Sequence, residues 1–276
     1  MSHRISPTAH YTGWIWCRNG LSDPALASSL GRLLYLAVAP ADALHERFGR
    51  GTGLETLLLA RHRALDHLLE TEVRAGRVQQ VVEVAAGLSP RGLRFARAHP
   101  DLRYVEADLA PMAAQKQRRL EAAGLDLPNL ESVPIDALAD TGPESLDALA
   151  QRLDPGRGTG VVTEGLLPYF DRPAVEGIWR RVTRFLGRFP HGVYLSDLYT
   201  EADLGGLRAA RTFRHLLSAF ARGRVTFPYG QIEEAVDALR EAGFGEASVR
   251  QPTEVGAPDI PRPDRQHLVR VVRAVV

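Results

Sequence analysis

The chain has 276 residues, with 34 lysine and arginine against 33 aspartate and glutamate residues and a formal net charge of +1. This balance argues against a nucleic-acid-binding protein, which would show a basic stripe, and against a polybasic membrane anchor. A single cysteine, Cys17, excludes an internal disulfide framework and is typical of a reducing cytoplasm. The length predicts one domain with an added cap.

The N-terminal part of the sequence predicts a helical cap and no membrane segment. It lacks the charged-then-apolar order of a signal peptide, and its longest apolar run, LLYLAVAP at 33–40, is too short to cross a bilayer. The pattern LETLLLARHRALDHLLETEV indicates a helix. We therefore expect residues 1–75 to form a helical cap on a cytoplasmic protein.

From about residue 78 onward, β-branched runs alternate with helical patterns, which is typical of a parallel sheet with crossover helices. Residues 76–276 therefore predict an α/β domain with a seven-stranded, mostly parallel sheet whose last strand is antiparallel. The predicted strands lie at 77–84, 102–109, 130–136, within 158–170, at 191–199, and twice within 229–276. Residues 201–228 predict a helical insertion after the fifth strand, and connections of this length usually cover a site.

The first predicted strand leads into the turn VVEVAAGLSPRG at 81–92, where only Gly87 is a glycine of the kind expected in a nucleotide-binding turn. A strand, turn, helix and second strand that ends in acid about 20 residues later is nevertheless the nucleotide-binding layout. Glu106 and Asp108 supply that acid, and a carboxylate there can accept both ribose hydroxyls. Pro90 removes one N–H that a pyrophosphate would need. The turn favours a cofactor with adenosine but no phosphate, and an ordinary strand–turn–helix connection is the alternative.

Three further carboxylates stand in or after predicted strands. Glu83 lies within a buried strand and needs partners there. Glu164 follows GVVT at a strand end, where ligands gather in open α/β sheets, although capping of the next helix is the alternative. Asp197, at the end of the fifth strand, is open to both interpretations.

Four segments occur in a characteristic order: ARHRALDHLL, VVEVAAGLSPRGLRFA, YVEADLAPMAAQKQRRL and VVTEGLLPYF. Together they resemble the leucine carboxyl methyltransferase-like family, whose bacterial members include O-methyltransferases of polyketide biosynthesis. The resemblance covers roughly residues 55–200, with a weaker match in the C-terminal part. It implies a class I methyltransferase on a Rossmann-like sheet, with S-adenosylmethionine as cofactor and S-adenosylhomocysteine as product.

The resemblance also implies roles for single residues. Arg61 occupies the place of an arginine that binds the methionine carboxylate, whereas a solvated helix residue is the alternative interpretation. Ala85, Ala86 and Gly87 match the glycine-rich turn, and Asp108 matches the carboxylate that binds the ribose.

Two matches are more distant along the chain. Asp136, in VPIDAL, matches an aspartate that contacts the adenine, and Glu164 matches a glutamate beside the methionine part of the cofactor. The sequence departs from the family at Ala85, which replaces a glycine, at the pair Ser89–Pro90, which replaces aspartate and threonine, and at Pro168. The predicted cofactor-binding residues are Arg61, Glu83, Ala85, Gly87, Asp108, Asp136 and Glu164.

The acceptor side is predicted from aromatic and basic residues. Tyr11 and Trp14, in YTGWIW, suit stacking on a flat or apolar acceptor, and packing within the cap is the alternative. Arg208 and Arg211 recur at helical spacing in the insertion and could face an anionic acceptor, a solvated helix face being the alternative. Tyr169, after the fourth strand, completes this set.

Methyl transfer depends mainly on alignment, and a carboxylate acceptor needs no general base, so no catalytic residue is assigned. His10, His191 and His215 are the candidate bases for a hydroxyl acceptor. His62 and His67 are five residues apart, which is wrong for two ligands on one helix face, so no metal is predicted.

Two other classes of protein compete with this interpretation. A short-chain nicotinamide oxidoreductase would place a tyrosine four residues before a lysine, but Met112 stands four residues before Lys116, the only lysine. A protein that binds the cofactor without transferring methyl would show the same residues. The sequence thus predicts an O-methyltransferase that acts on a carboxylate or hydroxyl of a small, polyketide-like molecule, without nucleic-acid or membrane partners, and indicates no oligomeric state.

Overall fold

The computed structural model describes residues 7–47, 53–203, 225–261 and 268–276. Seven strands form one sheet at its centre. The strands are β1 (Gln80–Val84), β2 (Arg103–Asp108), β3 (Leu130–Pro134), β4 (Thr159–Thr163), β5 (Gly192–Leu198), β6 (Glu246–Arg250) and β7 (Arg270–Val275).

The strand order is β3-β2-β1-β4-β5-β7-β6, with β1 to β5 parallel and β7 antiparallel to both β5 and β6. This confirms the predicted seven-stranded, mostly parallel sheet with an antiparallel last strand. All five residues of β1 and of β4 are buried, as expected for parallel strands that are covered on both faces. The segment 158–170 is a strand only over β4 and continues into a short 3-10 helix, Leu167–Tyr169.

Eight α-helices surround the sheet within the described residues. They are α1 (Pro7–Arg18), α2 (Ser29–Arg47), α3 (Leu54–Arg74), α4 (Arg91–Ala98), α5 (Ala110–Ala122), α6 (Leu146–Ala150), α7 (Arg172–Leu186) and α8 (Ile232–Glu241). Helix α7 shows the residues typical of helix ends: the Asp171 carboxylate accepts from the Ala174 N–H at 3.1 Å at its start, and Gly187 follows its last residue. Helix α6, only five residues long, has no counterpart among the predicted elements.

The helices form a layer on each face of the sheet. Trp179 and Phe185 of α7 are fully buried in the same apolar cluster as Val161 of β4. On the other face, Leu65 and Leu69 of α3 are fully buried with β-strand side chains. Each such side chain contributes about 1.5–3 kcal/mol on burial. Helix α3 therefore belongs to one of the helical layers that cover the sheet. The division of the chain at residue 75 into a helical cap and an α/β domain stays a prediction.

The N-terminal residues are helical, as predicted. Tyr11 and Ile15 of α1 pack on α3 at Leu58, and Asp42 of α2 caps α3, since its Oδ1 accepts from the Leu54 N–H at 2.7 Å. Most of the predicted insertion, residues 204–224, lies outside the described residues.

Candidate functional site

The carboxyl ends of β1 to β5 lie along one edge of the sheet, and the strand order reverses between β1 and β4. Open α/β folds bind their ligands at such a switch point. The structure brings predicted residues from four strand ends to this edge: Ala85, Gly87, Asp108, Asp136 and Glu164.

The turn after β1 contains two residues in the left-handed region of backbone conformation. Gly87 has φ +51°, which glycine adopts at no steric expense, and Ala85 has φ +57°. Ala85 stands where the family resemblance implies a glycine, and its Cβ makes this conformation unfavourable by about 1–2 kcal/mol. The chain therefore keeps the glycine-type turn even though one glycine is missing.

Asp108, the last residue of β2, faces this turn. Its Oδ2 accepts from the Gly87 N–H and its Oδ1 from the Leu109 N–H, both at 2.7 Å. Burial raises the pKa of Asp108, against these two N–H groups and the charge of Lys116. Each carboxylate oxygen keeps a second lone pair for a further donor such as a ribose hydroxyl. Asp136 lies at the same edge, because the N–H of the preceding Ile135 donates to the Asp108 carbonyl at 2.8 Å.

Glu106, the second acid of the predicted pair, forms an ion pair in the interior instead. It is 1% exposed, and its Oε1 lies 2.8 Å from Lys116 Nζ, which also donates to the Ser89 carbonyl at 2.7 Å. Burial raises the pKa of Glu106 to about 7, although the charge of Lys116 acts in the opposite direction. Of the two acids, Asp108 is therefore the one available to a ligand.

Arg61 and Glu164 meet on the other side of the switch point. Arg61 is 6% exposed, so the interpretation as a solvated helix residue is wrong. Its Nε donates to Glu164 Oε1 at 3.0 Å, and its Nη1 donates to Asp197 Oδ2 at 3.1 Å and to the Tyr199 hydroxyl at 3.3 Å. Within the described ranges, Arg61 Nη2 donates to no group. Gly165, with φ +68°, keeps that nitrogen accessible, since a methyl group there would lie 3.0 Å from it.

The charges around Glu164 keep it ionised. Burial works to raise the pKa of Glu164, but its interactions with His62, Arg91 and Arg61 outweigh burial and hold that pKa well below the usual value. No backbone N–H in the described part of the chain donates to its carboxylate, so the alternative role as a helix cap is not seen. An ion pair that can form further hydrogen bonds thus lies at the edge of the sheet. It is suited to a ligand that carries both a positive and a negative charge.

Arg91, at the start of α4, is a central residue that the sequence interpretation missed. It is fully buried, and its guanidinium donates to Asp66 Oδ1 at 2.7 Å, to Glu83 Oε1 at 2.5 Å and to Glu164 Oε2 at 2.5 Å. The signal was present, because the buried Glu83 requires a cation and Arg91 follows it by only eight residues.

Glu83 was predicted to bind the cofactor, and the structure gives its carboxylate a different place. Oε1 accepts from Arg91, and Oε2 accepts from the Tyr104 hydroxyl at 2.9 Å. Glu83 is 1% exposed, so both oxygens are engaged in the interior rather than presented at the edge.

Helix α1 lies over the switch point. Ala9 Cβ is 3.5 Å from where a methyl group at Gly87 would stand, and the Tyr169 hydroxyl donates to Thr8 Oγ1 at 3.3 Å. The helix therefore connects the turn after β1 with the segment after β4.

The acceptor candidates divide between this edge and the cap. Tyr169 is half-buried at the edge. Tyr11 is 2% exposed and packs on Tyr35 with 6.5 Å between ring centroids, and the Arg32 guanidinium lies 5.8 Å from the Trp14 ring. Tyr11 and Trp14 thus show the cap packing that was the alternative to acceptor stacking. Arg208 and Arg211 lie outside the described residues.

Of the histidines considered as candidate bases, the two that the structure describes lie in different parts of the molecule. His10 Nδ1 lies 2.8 Å from Ser28 Oγ, and burial lowers the pKa of His10. His191 precedes β5, at the opposite edge of the sheet, and His215 lies outside the described residues. Across the described ranges, no group of three or more His, Cys, Asp or Glu side chains is arranged so that it could hold a metal ion. A helix with the length and apolar character needed to cross a bilayer is also absent from these ranges.

Comparison with known proteins gives one family. A model of the leucine carboxyl methyltransferase family matches residues 37–183, more than half of the chain. No curated protein sequence matches the chain.

Solved structures share the fold. A candidate methyltransferase from Thermobifida fusca YX aligns with a TM-score of 0.64 at 15% identity, over 98% of this chain and 94% of its own. A DUF574 family protein from Streptomyces avermitilis MA-4680 aligns with a TM-score of 0.64 at 14% identity, over 97% and 96%. A candidate O-methyltransferase from Nostoc punctiforme PCC 73102 gives 0.53 at 15% identity over 80% of this chain, which spans only 60% of the length of that protein. At these identities the likeness concerns the fold.

Proposed function

The chain belongs to the leucine carboxyl methyltransferase family, and from this premise we propose that it transfers a methyl group from S-adenosylmethionine to an oxygen atom of a small molecule. The observation that carries the proposal is the pairing of Arg61 with Glu164 at the switch point, where Gly87 and Asp108 also lie. This arrangement supports a ligand with a zwitterionic amino-acid end and a ribose.

The residues present fit that cofactor. Arg61 would bind the α-carboxylate through its free Nη2, and the ionised Glu164 would bind the α-ammonium group. Asp108 would accept the ribose hydroxyls, and the Gly87 backbone leaves room beside them. Asp136, at the same edge of the sheet, would contact the adenine.

When bound, S-adenosylmethionine supplies a methyl group on a positively charged sulfur, which passes to the acceptor by in-line displacement and leaves S-adenosylhomocysteine. The contribution of the chain is to hold donor and acceptor in line and to exclude water. A carboxylate acceptor needs no base, whereas a hydroxyl acceptor would need one.

The acceptor in this proposal is a small molecule of polyketide type, bound beside helix α1 and Tyr169, and the compartment is the cytoplasm. Tyr169 lies at the edge of the sheet and contacts α1 at Thr8, so it borders the space next to the methyl donor. An aromatic ring there suits a flat acceptor.

Calorimetric titration with S-adenosylhomocysteine, and with NAD as the comparison ligand, tests the cofactor. Wild type is expected to bind S-adenosylhomocysteine, and Asp108→Ala to weaken that binding about tenfold or more. Asp101→Ala, which removes an exposed carboxylate before β2, is the matched control and should bind as wild type does. Binding of NAD alone, or of neither ligand, would contradict the proposal. Detection of a methylated product by mass spectrometry then separates a methyltransferase from a protein that only binds the cofactor.

A further inference from the structure

His62 of α3 is fully buried among the charged groups beside Glu164. Its Nδ1 lies 2.8 Å from Glu164 Oε2, and its Nε2 lies 2.9 Å from Arg94 Nη2. Nε2 faces the Arg94 guanidinium, which can only donate, and Nδ1 faces the Glu164 carboxylate, which can only accept, so the Nδ1–H donates to Glu164. Arg91 Nη2 also lies 3.0 Å from Nδ1, but it donates to Glu164 Oε2 at 2.5 Å. The opposite tautomer would leave a lone pair facing the carboxylate, and Asp66 Oδ2, at 3.6 Å from Nε2, is too far to accept.

The imidazole ring is also fixed from the side of the cap. The Trp16 indole packs against it, with 4.8 Å between ring centroids and 37° between ring planes. Three elements therefore determine where Nδ1 points: α3 carries the ring, α4 supplies Arg94, and α1 supplies Trp16.

The two oxygens of Glu164 have different partners. Oε2 accepts from His62 Nδ1 and from Arg91 Nη2, whereas, among the residues that the structure describes, Oε1 accepts only from Arg61 Nε. An ionised carboxylate has about four acceptor positions, so Oε1 retains an open one. That open position lies on the oxygen next to the guanidinium whose Nη2 is unused.

We propose that His62 is a positioning residue that fixes the Glu164 carboxylate so that Oε1 receives the α-ammonium group of the cofactor while Arg61 receives the α-carboxylate. This inference rests on the proposed function, since the zwitterionic end belongs to S-adenosylmethionine. Arg91 alone does not fix the carboxylate plane, because its guanidinium is shared with Asp66 and Glu83. A second donor from another helix removes the remaining rotation.

Two ligands separate this role from a general loss of structure. S-adenosylhomocysteine carries the amino-acid end, and methylthioadenosine has the same adenosine without it. His62→Leu removes the donor and is expected to weaken S-adenosylhomocysteine about tenfold to a hundredfold while methylthioadenosine changes less than about threefold. His62→Asn can place an amide N–H where Nδ1 lies and should restore most of the affinity. His62→Gln, whose amide reaches the Nε2 position instead, should behave as His62→Leu does and serves if the leucine variant does not fold.

His67→Leu, five residues further along α3, is the control for a histidine lost from the same helix, and Glu164→Gln is the reference for a lost ammonium partner. The inference is overturned if His62→Leu and His62→Gln bind S-adenosylhomocysteine as wild type does while Glu164→Gln does not, a result that leaves the proposed function intact. It is overturned equally if both ligands weaken in proportion, or if His62→Asn is no better than His62→Leu. Wild type that binds neither ligand would refute the proposed function itself.

Discussion

Replacement of Arg91 by methionine tests the buried charge network most directly. Methionine approximates the length of the side chain but carries no charge, so three carboxylates lose a partner. Asp66 keeps Arg94, which donates to it at 2.5 Å, and Glu164 keeps Arg61 and His62. Glu83 keeps only the Tyr104 hydroxyl.

The magnitude follows from that single orphaned group. Breaking a buried ion pair by removal of one partner is unfavourable by about 3–5 kcal/mol, because an uncompensated charge stays in the interior. A domain is stable by about 5–15 kcal/mol in total, so Arg91→Met should remove a fifth or more of the stability. The double variant Arg91→Met with Glu83→Gln replaces the orphaned carboxylate by a neutral amide and should recover most of the loss.

Urea unfolding at pH 7, followed by tryptophan fluorescence, measures the free energy of unfolding of each variant. Arg94→Met is the comparison variant: its side chain is 33% exposed, Asp66 keeps Arg91, and His62 Nε2 loses one donor, so a loss of about 1–2 kcal/mol, smaller than for Arg91→Met, is expected. A loss below about 1 kcal/mol for Arg91→Met, or a double variant no more stable than the single one, would refute the assignment of Glu83 as the group that depends on Arg91.

Three further predictions concern the turn, the interior acid and the glycine beside Arg61. Ala85→Gly should raise the free energy of unfolding by roughly 0.5–1 kcal/mol, because relief of the left-handed strain of about 1–2 kcal/mol exceeds the entropic penalty of about 0.4–1 kcal/mol. Ala86→Gly, the control, should lower the free energy of unfolding in the same urea assay. The pKa of Glu106 is about 7 in the folded chain, against 4.5 for an ordinary glutamate, so its contribution to stability is present below pH 4.5 and is lost as pH rises to about 7. The loss is about 3 kcal/mol, and the free energy of unfolding of Glu106→Gln between pH 5 and 8 should vary less with pH than that of wild type. Gly165→Ala should weaken S-adenosylhomocysteine but not methylthioadenosine in calorimetric titrations, while Gly124→Ala, with φ +64° and no neighbour within 4 Å, should show similar backbone strain and unchanged affinity for both.

Local patterns were sufficient for the strands, for most of the helices and for the edge where the site lies. Alternating apolar, often β-branched, segments and helical patterns marked the strands, and parallel strands place their carboxyl ends together, so Asp108 and Glu164 could be assigned to one edge from the sequence. The position of β7 between β5 and β6 is a matter of long-range pairing that no local pattern specifies.

The interior of the site could not be read in the same way. Glu83 and Glu106 are acidic residues in strands that lead to the edge. Their burial calls for a cation, but the sequence does not say which basic residue supplies it; in the structure these are Arg91 and Lys116. The rings of Tyr11 and Trp14 likewise look suited to an acceptor until the packing of α1 on α2 is known. These outcomes depend on which helices meet, and a pairing between distant helices leaves no periodic signal in either of them.

The strand order also has a consequence for how the chain is made. Strand β5 emerges from the ribosome roughly 70 residues before its partner β7. At synthesis rates of about 5–20 residues per second, the side of β5 that pairs with β7 stays without its partner for about 4–14 s. During this time a strand that is fully buried in the finished sheet presents unpaired N–H and C=O groups, which other nascent chains can pair with. The strand order thus gives this chain a period of exposure to intermolecular strand pairing while it is being synthesised.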